Sequence, residues 1–190
     1  MKGIVFSSVA VVMATLLAGS SLTAAPREHG NATVTEDWSS ADEASRLLDE
    51  IRGTASLLKV QTDTLESYTR GGLAWESHAS RLNIARDHIN DIGKKLQRLE
   101  EIRSSTAPWQ RNAADSITRS AASLAERTEA AINHLNGNRL HLWAPVYVDH
   151  LKSMADHAAQ VKKSVDVHLE LADTMDKLEE LRTRAAKSGS

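Results

Sequence analysis

Apolar residues recur at alternating steps of three and four positions through most of the chain, between residues 44 and 172. This spacing keeps the apolar side chains on one face of an α-helix, because an α-helix has 3.6 residues per turn. The pattern is clearest in the second of the four stretches that it marks, which contains Trp75, His78, Leu82, Ala85, Ile89, Ile92, Leu96 and Leu99. The sequence therefore predicts an all-α protein.

Helix-breaking residues divide this pattern into four segments. Gly71-Gly72 interrupts it first, Pro108 opens the third segment, and Asn136-Gly137-Asn138 closes that segment before Pro145 opens the fourth. Proline is tolerated in the first turn of a helix, and glycine and asparagine are common where a helix ends. We therefore predict four helices, over residues 40–69, 74–103, 107–136 and 145–183.

The predicted helix lengths indicate how the helices pack. The first three have about 29 residues each, or roughly 43 Å at 1.5 Å per residue, and the fourth is somewhat longer. Helices of matched length joined by short turns are usually antiparallel neighbours, so we expect an up-down-up-down four-helix bundle with crossing angles of about 20°. The alternative is that the helical hairpins open into longer helices that dimerise.

Residues 1–25 have the features of a secretory signal peptide. Lys2 supplies a positive start, residues 4–22 are apolar or small, and Thr23-Ala24-Ala25 offers the small residues that a signal peptidase requires. The apolar core is shorter than the roughly 20 residues that a membrane-spanning helix needs, so we predict cleavage after Ala24 or Ala25. An uncleaved signal anchor is the alternative.

The segment after the signal peptide is polar and has no helical periodicity. We predict a flexible linker over residues 26–38. Ser40 and Glu43 form a capping-box pattern, in which the serine and the glutamate satisfy each other's free backbone amides, so we expect the first helix to begin there. At the other end of the chain, residues 185–190 are predicted to be a disordered tail.

Composition restricts the location and the partners. The chain has no cysteine, which excludes a disulfide framework and a lipid anchor and favours a bacterial envelope location, periplasmic or secreted. Signal cleavage removes one of 23 basic and none of 25 acidic side chains, which leaves 22 and 25 and a formal net charge of −3. Because no basic block remains, neither nucleic acid nor, after signal cleavage, a membrane is an expected partner.

Aromatic and histidine side chains are concentrated at one predicted end of the bundle, where the first helix ends, the second begins, the third ends and the fourth begins. The candidate ligand-binding residues there are Tyr68, Trp75, His78, His134, Trp143, Tyr147 and His150. His78 lies on the apolar stripe of its helix, whereas His134 and His150 lie some 70–90° away from theirs. The rings either close the bundle end or bind a small molecule, haem or metal ion.

Polar residues also occur on the predicted inner stripes. They are Thr54, Gln61, Thr128 and His78. A buried polar group costs stability unless it is paired, so these residues are expected to fix the register between helices. The alternative interpretation is a hydrated groove that can open.

The sequence contains no recognisable catalytic motif. It has no nucleophile elbow, no phosphate-binding glycine loop and no His-x-x-x-His or Cys-x-x-Cys-His pattern. We therefore expect no enzyme, no cofactor and no metal site, and our leading hypothesis is a binding, adaptor or chaperone-like module of the cell envelope that contacts a protein partner or a second copy. The alternatives are the small-molecule, haem or metal-binding bundle and a membrane-anchored, sensor-like bundle.

Overall fold

The computed structural model describes residues 33–188, with side chains from residue 40 onward. The predicted signal peptide, the first part of the predicted linker and the last two residues of the predicted tail lie outside this range. Within it the chain is all-helical, with four long helices and no strand. These helices are α1 (Thr33–Gly71), α2 (Trp75–Glu101), α3 (Pro108–Gly137) and α4 (Pro145–Ser188).

Two helix ends differ from the sequence-based expectation. Helix α1 begins seven residues before Ser40, so Ser40 and Glu43 lie inside the helix and do not cap it. The chain has no glycine or proline between residues 31 and 52, and a capping signature by itself does not stop a helix that can extend past it. Helix α4 likewise continues to Ser188, because the first breaker after Pro145 is Gly189.

The helices pack side by side around one apolar core. Helices α1 and α3 each lie against both α2 and α4, whereas α1 and α3 barely touch each other. A helix with two neighbours buries a wider stripe than a two-stranded coiled coil would require, and Leu48, Ala55 and Thr62 on α1 are therefore buried beside the predicted stripe. The predicted stripe of α3 is buried along its whole length, and its residues are Ala114, Ile117, Ala121, Leu124, Thr128, Ala131 and Leu135.

Polar contacts join α1 to α2 at three levels. Along α1 the partners on α2 descend in number, from Arg98 beside Glu43 to Asp91 beside Thr54 and Arg81 beside Gln61. The Arg98 Nε–Glu43 Oε1, Thr54 Oγ1–Asp91 Oδ2 and Arg81 Nη1–Gln61 Oε1 distances are 2.7, 2.8 and 2.6 Å. The pairs with Thr54 and Gln61 account for two of the polar residues on the predicted inner stripe, since both side chains join α1 to α2.

The candidate residues lie at one end of the core. At the other end, Gln110 and Arg103, which the sequence patterns did not mark, connect the helices by hydrogen bonds. Buried Gln110 accepts a hydrogen bond from the backbone N–H of Ala107 at 2.8 Å, and its amide donates to the carbonyl of Ala41 at 2.8 Å and to Ser45 Oγ at 2.9 Å. Arg103 binds both carboxylate oxygens of Asp115, at 2.8 and 2.9 Å, and lowers the pKa of that carboxyl group. These bonds tie the α2–α3 connection to α1 and α3.

Among residues 33–188, no helix has a stretch that is both long and apolar enough to cross a membrane.

Because core burial holds the helices together, Leu48→Ala should lower the free energy of unfolding by about 2–5 kcal/mol. Leu48 is 1% exposed. The matched control is Leu57→Ala on the same helix, where the side chain is 56% exposed and the expected change is within about 0.5 kcal/mol. Urea unfolding followed by circular dichroism measures both values. Equal losses at the two positions would contradict this packing.

Candidate functional site

Five of the seven predicted site residues meet in one layer at the end of the bundle. We call Tyr68, His78, His134, Tyr147 and His150 the end layer; they come from the end of α1, the start of α2, the end of α3 and the start of α4. At its centre, the His78 Nδ1 and Tyr147 Oη atoms lie 3.1 Å apart, and both side chains are buried. The bond joins residues 69 positions apart in the sequence.

The rings of the end layer form a continuous series of contacts. Tyr68 meets His78 edge to face, with ring centroids 5.5 Å apart. The ring centroids of His78 and Tyr147 are 5.6 Å apart, with the planes tilted by 48°. His134 stacks on Tyr147 at 5.2 Å with 20° between the planes, and His150 meets His134 edge to face at 6.2 Å. Edge-to-face and offset arrangements are the ones that neighbouring rings favour.

Arg81 connects the end layer to the polar residues on α1. Its Nε donates to the hydroxyl oxygen of Tyr68 at 3.2 Å, and its Nη1 donates to Gln61 Oε1. One guanidinium group therefore holds two α1 side chains in place, one turn from His78 on the same helix. The sequence pattern does not mark Arg81, because an arginine on a helix flank is usually solvated.

Burial favours the neutral forms of three side chains in the end layer, Tyr147, His78 and His150. It raises the pKa of Tyr147 and lowers the pKa of His78. The pKa of His150 is also lowered, first by burial and then by the neighbouring charges of His134 and Arg127, with Asp149 acting in the opposite direction. A neutral imidazole and a neutral phenol can share one hydrogen bond without burying a charge.

His134 is placed differently from His78. Its Nε2 atom is buried and has no hydrogen-bond partner in the described part of the protein, although one face of the ring is covered by Tyr147. The rings of His134 and His150 are also neighbours, with centroids 6.2 Å apart.

The remaining two predicted residues, Trp75 and Trp143, lie outside the end layer. Trp75 is partly buried at the first residue of α2, and the Arg139 guanidinium carbon lies 4.3 Å above the centre of its ring, in cation–π geometry. Trp143 contacts His141 edge to face at 5.9 Å and is 70% exposed. The structure thus places Trp75 at the junction of two connections and Trp143 on the outer surface.

The α3–α4 connection, residues 138–144, is an ordered loop made of two successive turns. The His141 N–H donates to the Asn138 carbonyl at 2.9 Å, and the Ala144 N–H donates to the His141 carbonyl at 3.0 Å. Leu140 occupies the first turn and is 85% exposed, a position that the sequence analysis overlooked. An apolar residue in a turn-rich loop between two helix boundaries is the signal that would have identified it.

The two connections at this end expose further apolar side chains. Leu73 follows Gly72, which has a φ of +60° and allows the tight reversal from α1 to α2, and Val146 lies in the first turn of α4. We call the exposed residues Leu73, Leu140, Trp143 and Val146 the apolar rim. The site therefore has two parts, a buried polar end layer and an exposed apolar rim outside it.

The described residues contain no cluster of three or more histidine, aspartate or glutamate side chains that could hold a metal ion. Comparison with models of known protein families gave no match, and neither the curated proteins nor the solved structures gave a significant one.

The buried His78 predicts a pH dependence of stability. Its pKa is lower in the folded protein than the ordinary value of 6.5, so near that pH the unfolded chain binds more protons than the folded one. Stability contributed by neutral His78 is complete above pH 6.5 and is lost as the pH falls towards the folded pKa. The free energy of unfolding should therefore be smaller at pH 5.5 than at pH 7.5.

The contribution of His78 can be isolated with His78→Gln, which keeps a neutral hydrogen-bonding group beside Tyr147 but does not titrate. Urea unfolding at pH 5.5 and 7.5 should show a smaller difference between the two pH values for this variant than for the wild type. The control is His141→Gln, at an exposed loop position, which should keep the wild-type difference. An unchanged pH difference in His78→Gln would contradict the assignment.

Proposed function

We propose that this protein is an exported, non-enzymatic helical module that binds a partner protein through the apolar rim. The observation that carries the proposal is the exposure of Leu140 and Trp143 in an ordered loop, 85% and 70% respectively. Large apolar side chains held in water by an ordered backbone are typical of protein interaction sites, and tryptophan is among the residues that dominate binding energies. The loop keeps them exposed without the entropy cost of ordering a flexible segment on binding.

The buried end layer lies inside the apolar rim and is consistent with binding at the rim. The hydrogen bond between His78 and Tyr147 pairs the two most deeply buried polar side chains of the layer with each other, and ring contacts pack Tyr68 and His134 against them. A packed layer gives the loops a rigid base, and it favours binding on the outside of the bundle over entry of a ligand between the helices. The packed layer therefore supports a protein-binding module over a carrier of a small molecule, haem or metal ion.

The cellular context is part of the same proposal. We infer that residues 1–25 act as a cleaved signal peptide and that the mature protein is periplasmic or secreted, from the positive start, the short apolar core and the small residues before position 26.

We further infer an up-down-up-down four-helix bundle. The descending contacts between α1 and α2, the Ser116–Ser164 and His134–Tyr147 contacts between α3 and α4, and the short connections support this topology.

A small-molecule, haem or metal-binding bundle is the second candidate. The observation that favours it is the buried Nε2 atom of His134, which lacks a protein partner and lies beside His150. Elemental analysis and a visible absorption spectrum of the isolated protein distinguish the two candidates. A stoichiometric metal or chromophore that is lost in His134→Gln would favour the carrier.

A photo-crosslinking amino acid at position 143, in the cells that make the protein, should form covalent adducts with a partner protein identifiable by mass spectrometry. The matched control is the same amino acid at position 57, on the outer face of α1, which is 56% exposed and should form no such adduct. Adding Leu140→Asn should reduce the yield from position 143 at least about tenfold, because the proposed partner also contacts Leu140. Adding Val60→Asn, on the exposed face of α1, should not.

Two results would contradict the proposed interaction. One is an absence of protein adducts at position 143. The other is the same set of adducts from positions 57 and 143, unaffected by Leu140→Asn. Circular dichroism of each variant confirms that the helices remain folded, so that a loss of adducts reports on the rim.

A further inference from the structure

The last part of α4 continues past the packed core. Leu169 is the last buried residue of α4, yet the helix runs on to Ser188, which is roughly 28 Å further at 1.5 Å per residue. The large apolar side chains near and along this extension are exposed by 48–59%. They are Val167, Leu171, Met175, Leu178 and Leu181. An isolated helix of this length is only marginally stable in water, so a partner for this surface would stabilise it.

The extension carries a second heptad stripe on the outer face of α4. Val167, Leu171, Thr174, Leu178, Leu181 and Ala185 follow one another at alternating steps of four and three. At 100° per residue this outer seam lies about 165° from the buried positions 158, 161, 165 and 169, on nearly the opposite side of the helix. The hydroxyl of Thr174 donates to the Glu170 carbonyl at 2.8 Å, so its polar group is satisfied within the helix. Two-stranded coiled coils are built on seams of this kind.

The charges beside the outer seam are complementary to those of a second copy in antiparallel orientation. Consider two antiparallel α4 helices whose midpoint is level with residue 176. Each seam residue of one helix then meets a seam residue of the other: Leu171 meets Leu181, Thr174 meets Leu178, and Val167 meets Ala185. Beside the seam, Glu170 of each copy faces Arg184 of the other, which gives two attractive pairs. The two Lys177 side chains face each other and give one repulsive pair. In a parallel pair, Lys177 faces Arg182 twice and no opposite charges meet at the flanking positions.

We propose that two copies of this chain associate through the outer seam of α4, with the two helices antiparallel and centred on Asp176. The arrangement places the two packed cores at opposite ends of the shared helix pair. The apolar rim of each copy lies at the far end of its own bundle, where α4 begins, and stays accessible. The proposal therefore does not depend on the proposed function of the rim.

Removal of apolar side chains from the seam tests the association. Sedimentation velocity over a concentration series should show a dimer of the protein as isolated from the cells that make it. Leu171→Asn with Leu178→Asn should raise the dissociation constant at least about 100-fold, since each substitution acts twice in a symmetric pair. The control is Leu57→Asn with Val60→Asn, two exposed apolar residues on α1, which should leave the constant unchanged.

Charge reversal tests the orientation. Glu170→Arg and Arg184→Glu should each weaken the dimer by roughly tenfold, and the double variant should recover most of the wild-type affinity, because the opposite charges meet again. Glu170 and Arg184 are 14 residues apart, roughly 21 Å along one helix, so they cannot pair within a single chain. A protein that stays monomeric, a dimer indifferent to the seam variants, or a double variant no stronger than the single ones would overturn the proposal.

Discussion

Removal of one apolar stripe per helix from water is the interaction on which the rest of this structure depends. The chain has no cysteine, so no disulfide supplements the packing. The stripes can exclude water only while each helix has neighbours on both sides. At the ends of the packed core the apolar stripes are no longer covered on both sides, and hydrogen bonds between polar side chains connect the helices there. Gln110 serves one end and the His78–Tyr147 pair the other.

The two bundle ends differ in what lies outside these polar fastenings. Beyond Gln110, Arg103 binds the carboxylate of Asp115, and the surface is charged. Beyond the end layer, Leu140 and Trp143 project from a loop whose backbone is fixed by its own turns. An ion pair of exposed groups contributes little to association, whereas exposed apolar groups gain free energy when a partner covers them. This difference is why the proposed binding surface lies at the end that carries the histidines.

The sequence predicted the all-α class, the helix count and the meeting of Tyr68, His78, His134, Tyr147 and His150, because periodicity and break signals are local properties. It could not predict features that depend on the identity of the neighbouring helix. Leu48 and Arg81 lie on flanks that become buried or bonded only when a second neighbour is present. The start of α1 was also missed, since a capping pattern indicates where a helix can begin and not where it must. Leu140 was overlooked because loop exposure has no periodic signal.

Four distant stretches of the chain converge on the contact between His78 and Tyr147. A double-mutant cycle with His78→Leu, Tyr147→Phe and the combined variant, followed by urea unfolding at pH 7.5, measures this contact directly. The account predicts a coupling free energy of about 1 kcal/mol, because each single variant leaves a buried polar group without its partner. Losses that simply add, within about 0.3 kcal/mol, would mean that the two side chains do not meet in the folded protein.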